Sequence, residues 1–202
     1  MVTRVASLGR QSEKRVAIEA SVLRATEELL EEGASFAELN IERIATRAGI
    51  SRTAFYFYFR DKRELLVRLT TDVNEQLLAA AGTWWSGEGE LRDALGEIAG
   101  LYAEHGPLLR AVVEVSTYDE EVATYWRGLV GRFVDATRER IEAEQAAGRA
   151  LDGPAGAMAF SMVWMVERAF YEQQVQDTDA TDDELVDAMA TIFTRSVTGA
   201  AS

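Results

Sequence analysis

Two helix-capping residues, Asn40 and Ser51, stand eleven positions apart with Gly49 between them, and they constrain this chain more than any other feature. The segment reads Asn40-Ile-Glu-Arg-Ile-Ala-Thr-Arg-Ala-Gly-Ile-Ser-Arg-Thr-Ala-Phe-Tyr-Phe-Tyr-Phe59. Asn and Ser cap helix starts because a side-chain oxygen accepts one of the unpaired N–H groups of the first turn. Gly49 takes the left-handed conformation that ends a helix at little steric cost. Two short helices joined by such a turn form a helix-turn-helix, whose second helix fits the DNA major groove.

On a helix of about 100° per residue, Phe55 and Phe59 share one face with Tyr58 at its edge. Thr53 and Phe57 lie opposite, flanked by Arg52 and Tyr56. If the two phenylalanines face the core, Thr53 can meet a base edge and Phe57 a thymine methyl. Arg52, Tyr56 and Tyr58 suit phosphate oxygens, and the helix start at Ser51 offers backbone N–H groups to another. Asp61 caps the following helix, and Lys62 in its first turn is expected to clamp the DNA backbone. The competing reading makes Phe55 to Phe59 a strand, since aromatic residues favour strands. The run is apolar on both parities and lies between helical patterns, which disfavours it.

Gly49-Ile-Ser-Arg-Thr-Ala-Phe-Tyr-Phe-Tyr-Phe-Arg-Asp-Lys-Arg-Glu-Leu-Leu66 resembles the TetR family of one-component transcriptional repressors. Its Phe-Tyr-Phe-Tyr-Phe core is most similar to the EthR-type branch. The match covers about residues 13–70. Two positions depart from the family pattern: Arg60 stands where Pro is usual, and Ala54 replaces a common Thr, so Ala54 is not carried over as a DNA ligand. The resemblance implies a dimeric, all-helical repressor whose C-terminal domain binds a small effector.

Composition agrees with a helical chain. Apolar residues make up 48% of it and only two prolines occur, which favours helices around a real core. With no cysteine and one histidine, thiolate chemistry and metal clusters are unsupported. No glycine-rich phosphate loop or catalytic constellation is visible, so an enzyme is the weakest reading, with no catalytic residue, metal or cofactor expected. No secretory signal or membrane-length apolar run is seen, giving a cytoplasmic expectation and no membrane partner.

The net charge of −13 opposes DNA binding until it is divided along the chain. Residues 1–70 carry 12 basic and 10 acidic side chains, whereas residues 71–202 carry 9 and 24. A mildly basic head therefore precedes an acidic body that phosphate repels. The expected divisions are a disordered basic arm over 1–12, a DNA-binding domain over 13–62, and an effector-binding and dimerisation domain over 63–202. Arg4, Arg10, Lys14 and Arg15 allow the arm to follow DNA, or to be an ordinary tail.

Nine helices are expected. The first runs 13–32, with Ile18, Val22, Ala25 and Leu29 inward; the second and third form the turn motif; the fourth covers 62–81. A glycine-marked loop spans 82–89. The fifth and sixth, 90–104 and 107–117, are separated by His105-Gly106-Pro107. The seventh covers 119–147 and the eighth 154–176. The ninth starts at Thr181, completes a capping box with Glu184, and places Leu185, Ala188, Ile192 and Ser196 inward.

The body holds 12 of the 18 aromatic residues and every tryptophan. Trp84, Tyr102, Trp126, Phe133, Phe160, Trp164 and Phe170 are the candidate effector-pocket residues, against the plain alternative that they are core. Helix eight is apolar almost all round from Ala155 to Val166, so helices eight and nine are the expected homodimer interface, with Glu167 and Arg168 pairing across it or lying at its rim. Two heads about 34–36 Å apart would read a palindromic operator on double-stranded DNA. A constitutive, effector-free architectural DNA-binding dimer remains the alternative.

Overall fold

The computed structural model describes residues 2–176 and 178–198, with side chains described for 13–176 and 178–197. Eight helices and no strand occur among the described residues: α1 (Val2–Glu31), α2 (Ile41–Arg47), α3 (Arg52–Phe55), α4 (Lys62–Ser86), α5 (Leu91–Ser116), α6 (Glu120–Ala146), α7 (Ala155–Val175) and α8 (Asp182–Thr198). They divide into two compact units, Met1–Thr70 and Thr71–Ser202.

The expected break between helices five and six is a kink within α5. His105 departs from helical geometry (φ −111°, ψ 18°) just before Pro107, which cannot donate to the preceding turn. That merger reduces nine helices to eight. The expected loop at 82–89 is shorter, because α4 continues to Ser86. Gly82 lowers helix propensity by only about 1 kcal/mol, and the Trp85 indole N–H, bonded to Thr137 Oγ1 at 3.1 Å, anchors the extension. The 2–12 segment, expected as a disordered arm, forms the first turns of α1. Adding turns to an existing helix avoids a new nucleation cost, and no proline interrupts the segment. The side chains of Arg4 and Arg10 lie outside the described residues.

In the head, Val22, Ala25 and Leu29 of α1 are buried with Ile44 and Ala45 of α2, Phe55, Phe59, Leu65 and Leu66. Asn40 caps α2 by accepting from Arg43 N at 2.8 Å. The turn closes with Ile50 N donating to Ala45 O at 2.9 Å, while Gly49 holds φ +72°. Asp61 Oδ1 accepts from Glu64 N, and Glu64 Oε2 accepts from Arg60 N at 2.8 Å. Arg60 thus uses an N–H that proline lacks, which accounts for that departure from the family pattern. The head extends to Thr70 rather than ending at 62, because the first turns of α4 are bonded into it: Lys62 to the 36–39 segment and Arg68 to Glu19 at 3.0 Å.

In the body, α7 packs on α5, α6 and α8. Ile141, Ala155, Ala159, Met162, Phe193 and Val197 form one core cluster of these helices. Asp119 caps α6, and Thr181 and Glu184 exchange the two hydrogen bonds of the expected capping box at α8. The inward stripe of α8 is shifted by one residue from expectation. Val186, Met189, Phe193 and Val197 are buried, whereas Ala188 and Ser196 are exposed and Ile192 is 49% exposed. Two apolar stripes lie about 100° apart on this helix, and the body core selects the one with the larger side chains.

Phe55→Ala should destabilise the head by about 3–5 kcal/mol, the usual cost of emptying a phenylalanine site. Urea denaturation followed by circular dichroism measures the loss.

Candidate DNA-reading surface and apolar cavity

The second helix of the turn motif is shorter than its pattern suggests. Ser51 Oγ accepts from Ala54 N at 3.1 Å and starts one α-helical turn, Arg52–Phe55. The chain then tightens, with Phe57 N and Tyr58 N donating to carbonyls three residues back. Phe59 N returns to Phe55 O at 3.0 Å, which keeps both phenylalanines inward. Their rings lie 5.4 Å apart and both are buried.

What remains outward is the expected reading surface. Ser51, Arg52, Thr53 and Tyr56 are exposed, Phe57 is 74% exposed, and Tyr58 is half-buried at the edge. A phenylalanine this open does nothing for the core of its own domain; its apolar ring is available to a partner surface. Ala54 is half-buried and lies away from the exposed set.

Lys62 departs from its expected role as a phosphate clamp. Its Nζ donates to the carbonyls of Phe36, Ala37 and Leu39 at 2.7, 3.1 and 2.7 Å. An ammonium has three hydrogens, so all are engaged. The same group lies 4.9 Å from the Phe36 ring centre, and partial burial pushes its pKa below the ordinary lysine value. Lys62 therefore fixes the start of α4 to the α1–α2 connection. Arg47 is also committed, gripping both oxygens of Glu32 at 2.9 Å.

In the body, a cavity of about 720 Å³, mouth included, lies among α4, α5, α6, α7 and α8. Trp84, Tyr102, Trp126 and Phe133 line it as expected. Three expected residues do not. Phe170 is buried against Tyr102, with ring centres 5.4 Å apart, and is plain core. Phe160 is 57% exposed on α7 and pairs with half-buried Trp164 at 6.1 Å. Neither ring lines the cavity; on α7 the lining residues are Met162, Val163, Val166 and Glu167.

Sequence reasoning missed Trp85 and Glu167. Trp85, in the segment whose glycines suggest a loop, belongs to α4 and lines the cavity with its ring 5.2 Å from Phe133. Glu167 is not a solvated rim residue. It faces the cavity, is only 6% exposed, and neither carboxylate oxygen has a hydrogen-bond partner. Arg168 Nε stands 3.7 Å from Oε2, beyond hydrogen-bonding reach, and is itself half exposed. Desolvation pushes the Glu167 pKa up, while Arg168 draws it down to a lesser extent and Glu172 adds to the rise. Burial likewise raises the Tyr102 phenol, with Glu167 contributing. A position one helical turn after Val163 was the available signal: Val163 and Glu167 fall on one face of α7.

Residues 22–69 match the family described as bacterial regulatory proteins, tetR family, and residues 91–199 match the transcriptional regulator EthR, C-terminal domain. The chain is a TetR-family transcriptional regulator of the EthR type. It is 30% identical over 192 residues to the HTH-type transcriptional regulator EthR of Mycolicibacterium smegmatis, covering 90% of this chain and 86% of that one. EthR of Mycobacterium tuberculosis is 27% identical over 191 residues, with 90% and 87% covered. Among solved structures, NalD, the secondary repressor of the MexAB-OprM multidrug efflux pump in Pseudomonas aeruginosa, superposes with a TM-score of 0.73 at 19% identity, covering 95% of this chain and all of that one. That likeness shows the fold. Membership of a family of regulators, rather than the lack of a metal cluster among the described residues, is what sets the enzyme reading aside. No helix of the described residues is long and apolar enough to cross a membrane.

A buried carboxylate raised in pKa opposes folding once it is ionised. The sign is that of an acid whose folded pKa exceeds its unfolded one, so the penalty is absent below about pH 4.5 and complete above the folded value. Glu167→Gln should therefore raise the melting temperature at pH 8, and the gain should shrink as pH falls toward 4.5 in calorimetric scans.

Proposed function

We propose that this regulator is a repressor that binds a palindromic operator on double-stranded DNA as a homodimer and leaves it when a small apolar or aromatic molecule enters the body cavity. The observation that carries the reading is α4. Its first turn is bonded to the head through Lys62, and Leu77, Ala81, Trp84 and Trp85 near its other end line the cavity. A ligand that separates these residues from α5 and α6 moves the end of a helix whose start belongs to the DNA-binding unit. The shift requires a ligand that prefers the non-binding conformation, since equal affinity for both changes no population.

At the DNA, Thr53 and Phe57 read base edges, while Arg52, Tyr56, Tyr58 and the backbone at Ser51 position the head on phosphates. Lys62 acts indirectly by holding the α4 start. The dimer forms through α7 and α8, the helices expected as eight and nine. In support, Phe160 and Ile192 leave large apolar surface open on these two helices, with Trp164 beside Phe160. One short recognition helix buries too little surface for tight specific binding, and a two-fold pair spaced by one turn of DNA supplies the rest.

An operator selected from a random duplex library tests the docking. Arg52→Ala should weaken binding to all sequences and reduce the salt slope by about one unit, whereas Thr53→Ala should cost about 1–3 kcal/mol for the selected operator and relax its sequence preference. Equal losses on selected and random DNA for Thr53→Ala would reject the base-reading role. Sedimentation tests the interface: Phe160→Glu with Ile192→Glu should shift the protein from dimer to monomer, because an unpaired charge at an apolar interface costs several kcal/mol.

A further inference from the structure

Glu167 is unusual because it is buried with no hydrogen bond to either oxygen, its one nearby cation being the half-exposed Arg168 at 3.7 Å. Among the lining residues it is the only carboxylate, and no lysine or arginine lines the cavity. Of the other polar side chains there, Thr137 Oγ1 already accepts the Trp85 indole N–H, and Tyr102 is a buried phenol. Both Glu167 oxygens are buried without a hydrogen bond. An ionised carboxylate without hydrogen bonds in an apolar site is costly unless it takes up a proton or a group of opposite charge arrives to pair with it. Around it, Trp84, Trp85, Tyr102, Trp126 and Phe133 supply aromatic rings, and such faces attract cations. The body's excess of 24 acidic over 9 basic residues raises the local concentration of cations and repels anions.

We propose that the cavity selects an organic cation, an apolar or aromatic body bearing one protonated amine whose ammonium pairs with the Glu167 carboxylate. The inference rests on the effector-site reading of the cavity and specifies the chemical class it takes. Fatty acids and other carboxylates are disfavoured while Glu167 is ionised, since they would set two negative charges together in a desolvated site. A neutral alcohol fills the apolar part but makes a weaker hydrogen bond than an ammonium does.

Binding of the cation requires Glu167 ionised, so the amine's affinity rises with pH through the elevated carboxyl range. The groups facing Glu167 are few: Tyr102 from α5, and Arg168 and Glu172 beside it on α7, while the lining residues of α4, α6 and α8 carry no titratable side chain. Tyr102, with its pKa raised further, stays neutral throughout.

The test uses the full-length protein with 4-phenylbutylamine and 4-phenylbutanol, which share a skeleton and differ in charge, measured by isothermal titration between pH 5 and pH 8. At pH 8 the amine should bind about tenfold or more tightly than the alcohol, a ratio of the size expected for a charge-assisted bond. Its affinity should fall toward pH 5 while that of the alcohol stays level. Glu167→Gln should abolish the preference of amine over alcohol. The pH series on the unaltered protein holds the test together if the variant folds poorly. Alcohol binding with no amine preference, or a preference that survives Glu167→Gln or ignores pH, overturns the cation assignment and leaves the effector cavity standing. Binding of neither probe at millimolar concentration overturns both.

Discussion

Phe55 and Phe59 bury their rings together in the head, and the outward geometry of the turn motif follows from that pair. Four residues of α-helix and a tightened turn hold too few internal hydrogen bonds to be stable alone. Tertiary burial of the two rings sets the rotation of the segment, and that rotation exposes Arg52, Thr53, Tyr56 and Phe57. A side chain as apolar as Phe57 remains in water because its neighbours at positions 55 and 59 have occupied the core. The capping bonds of Asn40, Ser51 and Asp61 place the chain ends at each helix so that this burial is possible.

The second constraint is the length of α4. At about 1.5 Å rise per residue, a helix from Lys62 to Ser86 covers the distance from head chemistry to cavity chemistry without a loop. Lys62 spends its three donors on carbonyls at 36, 37 and 39, giving the head end of α4 a fixed register. At the other end, the Trp85 indole bonded to Thr137 and the Asn74 amide bonded to Tyr125 tie α4 to α6 within the body. These bonds hold α4 at defined points, and Leu77, Ala81, Trp84 and Trp85 border the apolar space within the body.

Charge separates the two units by task. A head with nearly balanced charge can approach phosphate through a few arginines, while the acidic body stays away from it. Inside that body Glu167 sets a carboxyl against the cavity, where burial pushes its pKa up. The buried carboxyl is thus the one acidic group among the residues lining an otherwise largely apolar space. Burial of this kind costs stability once the group is ionised.

Local chemistry determined the helical class, the turn motif, its caps and its inward and outward residues, because a capped start, a glycine with positive φ and a four-residue ring spacing act over a few residues and are written in consecutive positions. The division into a mildly basic head and an acidic body was legible for the same reason, since it is a sum over segments. Only the tertiary structure decided that Lys62 is a staple rather than a clamp, that α8 turns Val186, Met189 and Phe193 inward, and that Phe160 and Trp164 lie off the cavity that Trp85 and Glu167 enter. Each of those depends on which of two plausible faces meets a neighbour far away in the chain. Helical periodicity is blind to that choice, because it gives the angle between residues on one helix and carries no information about where the partner helices stand.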